Sequence, residues 1–143
     1  MSYTINFTAE PSAHEVGTIH QGLERHAKQK IGKTSFEPFG FMAHDSSGGL
    51  IAGCTGVLMY GYLYIKLLWV DESARGKGLG RKLLQKAESF AKDNNCRYIT
   101  VDTFNWQAKE FYEKMKYKIE HIYDGYDSDS TFYFFRKKLC DHL

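Results

Sequence analysis

The chain has 143 residues, of which 43% are hydrophobic and 25% charged, and its formal net charge is +2 at pH 7. This composition is ordinary for a globular protein and predicts one domain over residues 1–143. The small net charge, with Lys and Arg scattered among acids, gives no reason to expect a nucleic-acid partner. No apolar run reaches the roughly 20 residues that span a bilayer, and the first residues do not resemble a signal peptide, so we expect a cytoplasmic protein with no membrane partner.

Cysteine and histidine give no sign of a metal centre. Cys54, Cys96 and Cys140 are odd in number and widely spaced, which predicts free thiols and no disulfide framework. The first predicted helix carries three histidines six residues apart, and side chains at that spacing cannot share one helical face as ligands would. We therefore expect no metal.

Hydrophobic periodicity predicts strands and helices along the whole chain. Alternating Tyr, Ile and Phe predict a strand over residues 3–8, and a Ser12–Glu15 capping box opens a helix that runs to about Ile31. Further strands are predicted over 39–44, 50–60, 62–70, 97–103, 117–123 and 131–139. Two more helices are predicted, one starting at residue 79 and one over 105–115. A hairpin turn is expected over 45–49 and a polar loop over 124–130.

This order of elements predicts an α/β (α+β) fold. Residues 63–70, the helix from Leu79 and residues 97–103 form a right-handed βαβ unit with parallel strands. Three consecutive antiparallel strands come before its helix, so the sheet is expected to be mixed and mostly antiparallel, with flanking helices. The last strand, 131–139, contains four consecutive aromatic residues. It is a candidate edge strand that could pair across a homodimer, or it could be buried within the monomer.

A glycine-rich loop follows the strand that ends near Val70. Gly76, Gly78 and Gly80 remove side chains where a ligand can approach the backbone, and the next helix offers unpaired N–H groups. This pattern favours a phosphate cradle over a glycine-rich surface turn. The spacing is not that of a P-loop, because no Ser or Thr follows a Gly-Lys pair here. It is not a Rossmann fingerprint either, because the pattern is Gly-x-Gly-x-Gly after an antiparallel meander.

Two segments resemble the GNAT superfamily of N-acetyltransferases. The run Arg75-Gly-Lys-Gly78-Leu-Gly80 matches the superfamily signature Arg/Gln-x-x-Gly-x-Gly/Ala. The segment from Asn105 to Tyr117 is similar to the superfamily pattern Asn-x-x-Ala-x-x-Phe-Tyr-Glu-Lys-x-Gly-Phe. The order of strands and helices agrees from about residue 3 to residue 139, so the resemblance covers nearly the whole chain.

The resemblance implies that the chain binds acetyl-CoA, its acetyl donor, where the two parallel strands diverge. Backbone groups of Leu68 and Val70 would pair with the pantetheine arm as an added strand does. The pyrophosphate would lie on the glycine loop and the start of the following helix. The residues implied in this second contact are Arg75, Gly76, Lys77, Gly78, Leu79, Gly80 and Arg81.

The resemblance also implies that the helix over 105–115 lines the donor. Asn105 and Tyr112 are seven residues apart, and so only about 20° out of line on a helix, with the small Ala108 between them. A tyrosine at the position of Tyr112 often protonates the departing thiolate in this superfamily. The alternative is a core tyrosine whose hydroxyl is satisfied locally. Attack by the amine would be direct, with the Val70 N–H stabilising the oxyanion.

The acceptor half of the reaction has a weaker signal. An amine must lose a proton before it attacks, and some members of the superfamily carry a glutamate for this purpose at the position of Tyr64. Glu37, His44 and Asp102 are the other candidate bases, and each could instead be a structural polar residue.

Acidic and aromatic residues crowd the predicted loop 124–130, where they would suit a cationic amine or simply be solvated. The expected function is an N-acetyltransferase that acts on a primary amine of a small molecule. One alternative is a protein or peptide amine as acceptor, and another is a non-catalytic acyl-CoA sensor.

Overall fold

The computed structural model describes residues 1–139, so Cys140 lies outside the described residues. The chain divides into two compact units, residues 1–35 and a larger unit that starts at Phe36. One domain over 1–143 therefore stays a prediction.

The first unit contains one helix, α1 (Ala13–Ile31). The predicted capping box is confirmed, because Ser12 Oγ accepts from the Glu15 N–H at 3.0 Å and the Ser12 N–H donates to Glu15 Oε1 at 3.3 Å. Gly32 ends the helix with a left-handed φ of 75°. The strand predicted over 3–8 is wrong. Those residues are exposed, and no other segment of this unit is extended into a strand that could pair with them.

The second unit is a six-stranded sheet with helices α2 (Leu79–Asp93) and α3 (Lys109–Lys114). The strands are β1 (Phe36–His44), β2 (Leu50–Met59), β3 (Tyr62–Val70), β4 (Tyr98–Phe104), β5 (Lys118–Tyr126) and β6 (Ser130–Lys138). Their spatial order is β1-β2-β3-β4-β6-β5, and β3 and β4 are the parallel pair. The predicted mixed, mostly antiparallel sheet with a β3-α2-β4 unit is thus confirmed.

The core lies between α2 and one face of the sheet. The apolar stripe of α2, which includes Leu83, Leu84 and Ala87, is buried there because these positions recur at helical spacing. In the strands, every second residue faces the same core, as Ile99 and Val101 do on β4. The opposite face of β4 carries the partly exposed residues that alternate with these, and two of them, Asp102 and Phe104, line a cavity of the candidate site.

Strand boundaries and placement differ from the prediction in three places. β1 begins at Phe36 and includes Pro38, which an edge strand tolerates. β5 continues to Tyr126 and β6 begins at Ser130, so the loop predicted over 124–130 is reduced to a short 3₁₀ turn at Asp127–Asp129. The edge placement of strand 131–139 is wrong, because β6 pairs with β4 on one side and β5 on the other. A homodimer stays a prediction, but it cannot use the backbone edge of β6.

The parallel pairing of β3 with β4 stops halfway along both strands. The last paired residues are Ile65 and Val101, although β3 continues to Val70. The register of β3 against β2 shifts at the same level, where Lys66 is an extra residue between the pairs Ile65–Gly56 and Leu67–Thr55. A β-bulge bends the strand that contains it. Beyond the bulge, a gap therefore opens between β3 and β4.

A charged pair ties β6 to α2 inside this unit. Lys137 Nζ lies 2.7 Å from Glu88 Oε2 and donates to the Met115 carbonyl at 3.1 Å, and the two side chains are only 26% and 11% exposed. We expect Lys137→Met to lower the free energy of unfolding by about 2 kcal/mol, since Glu88 loses its charged donor. Urea unfolding would measure this, with Lys138→Met on the exposed neighbouring position expected to change stability by less than about 0.5 kcal/mol. Equal effects of the two substitutions would contradict a stabilising role for the pair.

Candidate active site

A cleft of about 660 Å³ lies beside the end of β3, beyond the last residues that pair with β4. It collects residues from the end of β3, from the glycine loop, from the start of α2 and from the segment before and within α3. Of the predicted donor residues, those that line it are Leu68, Val70, Arg75, Gly76, Gly78, Leu79, Gly80, Arg81, Ala108 and Tyr112. Lys77 is an exposed loop residue that does not line it.

The edge of β3 that faces the gap has free backbone groups. The Asp71 N–H donates to the Ile51 carbonyl at 2.7 Å, so at this end of β3 alternate residues point toward β2. By that alternation the N–H groups of Leu68 and Val70 point the other way, into the gap. Since β4 has already separated at this level, these groups are available to pair with an extended ligand.

The loop between β3 and α2 is held by its own polar side chains. Asp71 accepts from the Ser73 N–H at 3.0 Å and also from the Ser73 hydroxyl, which fixes the short 3₁₀ turn Glu72–Ala74. The Arg75 Nε then donates to the Val70 carbonyl at 3.0 Å, which folds that side chain back across the mouth of the gap. The turn therefore delivers the chain to the glycines in a fixed direction.

The start of α2 is left open to a ligand. Gly78 is its N-cap, with a left-handed φ of 77°, and it has no side chain to satisfy the first helical N–H groups. Those groups and the positive end of the helix dipole face the cleft beside Arg81. The arrangement suits an anion such as a pyrophosphate. Gly80 has a different environment, since a methyl group there would be in ordinary contact with Val70 and Phe111.

The helix predicted over 105–115 is shorter than expected. α3 starts at Lys109, because the preceding residues form a turn held by side-chain bonds to the backbone. Gln107 Oε1 accepts from the Phe104 N–H at 2.9 Å, and Thr103 Oγ1 accepts from the Ala108 N–H at 3.2 Å. Asn105 therefore does not share a helical face with Tyr112, and that part of the prediction is wrong. Its Oδ1 accepts from the Thr131 N–H at 3.0 Å and it does not line the cleft.

Tyr112 lies at the inner end of the cleft. Only 4% of its surface is exposed. Its ring packs against the rings of Phe111, Tyr117 and Phe135, with ring centroids 5.2–5.8 Å apart. Burial raises the pKa of its hydroxyl well above the usual value, and the charges of nearby Cys54 and Asp102 add to the shift. Because its pKa is raised, the Tyr112 hydroxyl is protonated at neutral pH and can donate a proton.

A second cavity, of about 280 Å³, opens between β3 and β4 where their pairing ends, and residues of both strands line it. Leu68, Gln107, Ala108 and Tyr112 line both cavities, so the two meet at these four residues. Its outer wall is aromatic. Phe104 and Phe132, which both line it, stack on each other with ring centroids 4.7 Å apart. Tyr126 packs edge-on against both rings, which places an aromatic residue of the predicted 124–130 loop at this wall.

One carboxylate, that of Asp102, also lines the second cavity. The Tyr64 hydroxyl donates to Asp102 Oδ2 at 2.9 Å across the two parallel strands. Burial raises the pKa of the Asp102 carboxyl above its usual value, and the hydrogen bond from Tyr64 opposes that shift. Burial, followed by the contact with Asp102, raises the pKa of Tyr64 to about 12. The sequence analysis missed this pairing, because it needs β3 and β4 in register.

Other lining residues were missed for similar reasons. Trp69, Ala74, Trp106, Gln107 and Phe111 line the first cavity. Phe111 lies within the quoted motif and could have been found there. Trp106 stacks on Phe104 at 5.3 Å, and its Nε1 donates to Ser130 Oγ at 3.0 Å, contacts that depend on tertiary structure.

The two described cysteines, Cys54 and Cys96, are free thiols, as predicted, and both are buried. Burial raises the pKa of Cys54 to about 11, so it is a thiol at neutral pH and a poor nucleophile. No helix among the described residues is long and apolar enough to cross a membrane. Residues 1–139 contain no group of three or more His, Cys, Asp or Glu side chains placed to hold a metal ion.

A gap between parallel strands, with free N–H groups on one side and an open helix N-terminus at its mouth, suits an extended ligand that carries a pyrophosphate, such as an acyl-CoA. The Acetyltransferase (GNAT) family model matches residues 8–117, and the chain belongs to this family. It is 33% identical over 104 residues to the blasticidin-S acetyltransferase of Streptomyces morookaense, covering 72% of this chain and 76% of that protein.

Solved structures of acetyltransferases share the fold. One from Agrobacterium tumefaciens superposes with a TM-score of 0.83 at 24% identity, covering 96% of this chain and 99% of that one. A protein from Bacillus anthracis that is described as a streptothricin acetyltransferase, solved with acetyl coenzyme A, has a TM-score of 0.63 at 24% identity, and the match covers 78% of this chain and 66% of that one. The predicted family, fold and enzyme class are therefore confirmed.

Proposed function

We propose that the protein transfers the acetyl group of acetyl-CoA to a primary amine of a small molecule by direct attack. The observation that carries this proposal is the meeting of two cavities at Tyr112. One is lined by free backbone N–H groups and arginines, which suit the donor, and the other by aromatic rings and a carboxylate, which suit an amine. An acyl group at the junction would be reachable from both sides.

In this proposal, backbone groups orient the donor. The glycine loop and the start of α2 bind the pyrophosphate, with Arg75 and Arg81 beside it, and the exposed edge of β3 pairs with the pantetheine arm. Bound acetyl-CoA supplies an activated acetyl group as a thioester. We propose that the Leu68 N–H, and not the Val70 N–H, donates the hydrogen bond that stabilises the carbonyl oxygen of the thioester. Leu68 lines both cavities, as Tyr112 does, whereas Val70 lines only the first.

Tyr112 acts as the general acid in the same proposal. Its raised pKa keeps the phenol protonated at neutral pH, and the departing sulfur would take that proton as the carbon–sulfur bond breaks. Direct attack is supported by the chemistry of Cys54. Its raised pKa and full burial leave it unsuited to carry an acetyl group as a covalent intermediate.

The acceptor class is proposed from the second cavity and from the relatives. The proteins named above include acetyltransferases of blasticidin S and of streptothricin, which are small molecules. A cavity of about 280 Å³ is near the lower size limit for small-molecule sites, and it accommodates a small amine or one end of a larger one. Location in the cytoplasm remains part of the proposal.

The test is release of free CoA, followed with a thiol reagent, when the protein is mixed with acetyl-CoA and each amine in turn. The amines are blasticidin S, streptothricin, simple aryl-alkyl amines and short peptides with free N-termini. We expect turnover with at least one small molecule above the rate without amine. If only the peptides are acetylated, the acceptor would be a protein or peptide amine and not a small molecule. Binding of acetyl-CoA without turnover of any amine would favour the sensor and overturn the proposal.

A further inference from the structure

We propose that Asp102 is the proton acceptor for the incoming amine and that Tyr64 is a positioning residue that holds its carboxylate. This inference rests on the proposed function and assigns the base that the function requires. The juxtaposition that carries it is a carboxylate in the wall of the second cavity, hydrogen-bonded across β3 and β4 where the strands begin to separate.

The position of Asp102 follows from the register of the sheet. Ile65 and Val101 are the last paired residues of the parallel strands, so Asp102 is the first residue of β4 beyond the pairing. Strand alternation buries its neighbours Val101 and Thr103 against the core and turns Asp102 to the opposite face. It lines the second cavity together with Tyr112, so the proposed acid and the proposed base share one cavity.

The other candidate bases are placed elsewhere. Glu37 and His44 lie on β1, which β2 and β3 separate from the gap, and neither lines a cavity described above. Asp124 on β5 was not among the predicted bases; it accepts a hydrogen bond from the Thr131 hydroxyl at 3.2 Å and also lies outside both linings. Among residues 1–139, Asp102 is the one carboxylate or imidazole that lines either cavity.

Asp102 and Tyr112 together account for every proton that the reaction moves. The ammonium form of the amine gives one proton to the Asp102 carboxylate, and its freed electron pair forms the bond to the acetyl carbon. The carbon–sulfur bond breaks with its electron pair on sulfur, which takes the Tyr112 proton. A second proton from the nitrogen restores Tyr112, and Asp102 returns its proton to water. The products are the amide, CoA as a thiol and one proton.

The surroundings of Asp102 set the pH dependence. Titratable and charged groups share its face or cavity on five elements. They are Tyr62, Tyr64 and Lys66 on β3, Tyr98 on β4, Tyr112 on α3, Arg136 and Lys138 on β6, and Lys118, Glu120, His121 and Tyr123 on β5. Burial raises the pKa of Asp102, so its carboxylate is a stronger base than an exposed one. A raised carboxyl pKa also means that folding favours the protonated form. The stability that this gives is present at low pH and lost as the pH rises through the folded-state pKa.

Asp102→Asn separates a chemical role from a structural one. A plain amine with a pKa near 10.4 is almost wholly protonated at neutral pH, so loss of the base should lower kcat/KM about a hundredfold there. The deficit should shrink as the pH approaches the pKa of the amine, because more of it is then already neutral. Stability at pH 7 should not fall, since the substitution removes a carboxylate whose charge is disfavoured in the folded state.

Tyr64→Phe tests the positioning role. Loss of a hydrogen bond that lowers the Asp102 pKa should move the acid limb of the kcat/KM profile to higher pH, with the rate at the plateau nearly unchanged. Tyr62→Phe is the matched control on the same strand and face, because its hydroxyl accepts instead from Arg136 at 3.2 Å. Tyr62→Phe and His121→Gln should both keep the acid limb of the kcat/KM profile at the wild-type pH.

The outcomes distinguish this inference from the proposed function. The assay uses whichever amine of the panel the wild-type protein turns over fastest. If the wild type turns over none, the proposed function fails and the inference falls with it. If the wild type is active and Asp102→Asn keeps its kcat/KM across the pH range, only the inference is overturned. If Asp102→Asn is too unstable to assay, the pH profile of kcat/KM for Tyr64→Phe decides the inference. An acid limb at the wild-type pH overturns the inference, and an acid limb shifted to higher pH supports it.

Discussion

Replacing Tyr112 with phenylalanine is expected to lower kcat by about a hundredfold while the Kd for acetyl-CoA stays unchanged. The magnitude is at the lower end for loss of a general acid, because a thiolate is a comparatively good leaving group. Phenylalanine keeps the ring that packs against Phe111, Tyr117 and Phe135, so the fold and the cleft should be preserved. Steady-state kinetics and calorimetric titration with acetyl-CoA measure the two quantities.

Tyr117→Phe is the matched control for this substitution. Tyr117 belongs to the same aromatic cluster, and its hydroxyl is buried with no hydrogen-bond partner within residues 1–139. Removing that hydroxyl should leave kcat unchanged and should not lower stability, because an unpaired buried polar group is unfavourable. Equal rates for the two variants would remove Tyr112 from the mechanism.

A larger structural effect is expected from Gly56→Ala. Gly56 faces the bulge of β3, where a Cβ atom on residue 56 would lie 1.9 Å from the Tyr64 carbonyl oxygen and 2.9 Å from Phe39 Cε1. A backbone atom cannot move aside as a side-chain tip can, so β2 and β3 must separate or slip. We expect a loss of about 3 kcal/mol in the free energy of unfolding. Affinity for acetyl-CoA should fall as well, since the bulge opens the gap.

Gly17→Ala gives the opposite sign and serves as the control. Gly17 lies within α1, and a Cβ atom there would meet no heavy atom within 4 Å. Alanine should stabilise the helix by about 0.5–1 kcal/mol and leave acetyl-CoA affinity alone. Urea unfolding of both variants tests the pair. A Gly56→Ala protein as stable as the wild type would show that the close approach of β2 and β3 is not required.

The donor half of the site was largely predictable because its elements are local. The strand to Val70, the glycine loop and the start of α2 are consecutive in the chain, so spacing and periodicity place them together. The βαβ unit could be predicted for the same reason, since its two strands and its helix follow one another in the chain. What periodicity could not show was the bulge at Lys66, which exists only relative to the partner strand β2.

The errors have physical causes of the same kind. Residues 3–8 alternate as a strand does, but alternation does not supply the neighbour that a strand needs. The side chains of Gln107 and Thr103 bond to the backbone and hold a turn over residues 105–108, where a helix was expected. The strand β6 is interior because β5 folds back beyond it, an arrangement set by long-range pairing. The Tyr64–Asp102 contact depends on parallel register in the same way.

The most direct test of the account is to follow an isotopically labelled acetyl group from acetyl-CoA by mass spectrometry. With the wild-type protein and an accepted small-molecule amine, we predict that the label appears on the amine nitrogen, one acetyl group per molecule of CoA released. Label that remains on CoA, or that appears only as free acetate, would contradict an N-acetyltransferase and leave acetyl-CoA binding or hydrolysis as the activity of this site.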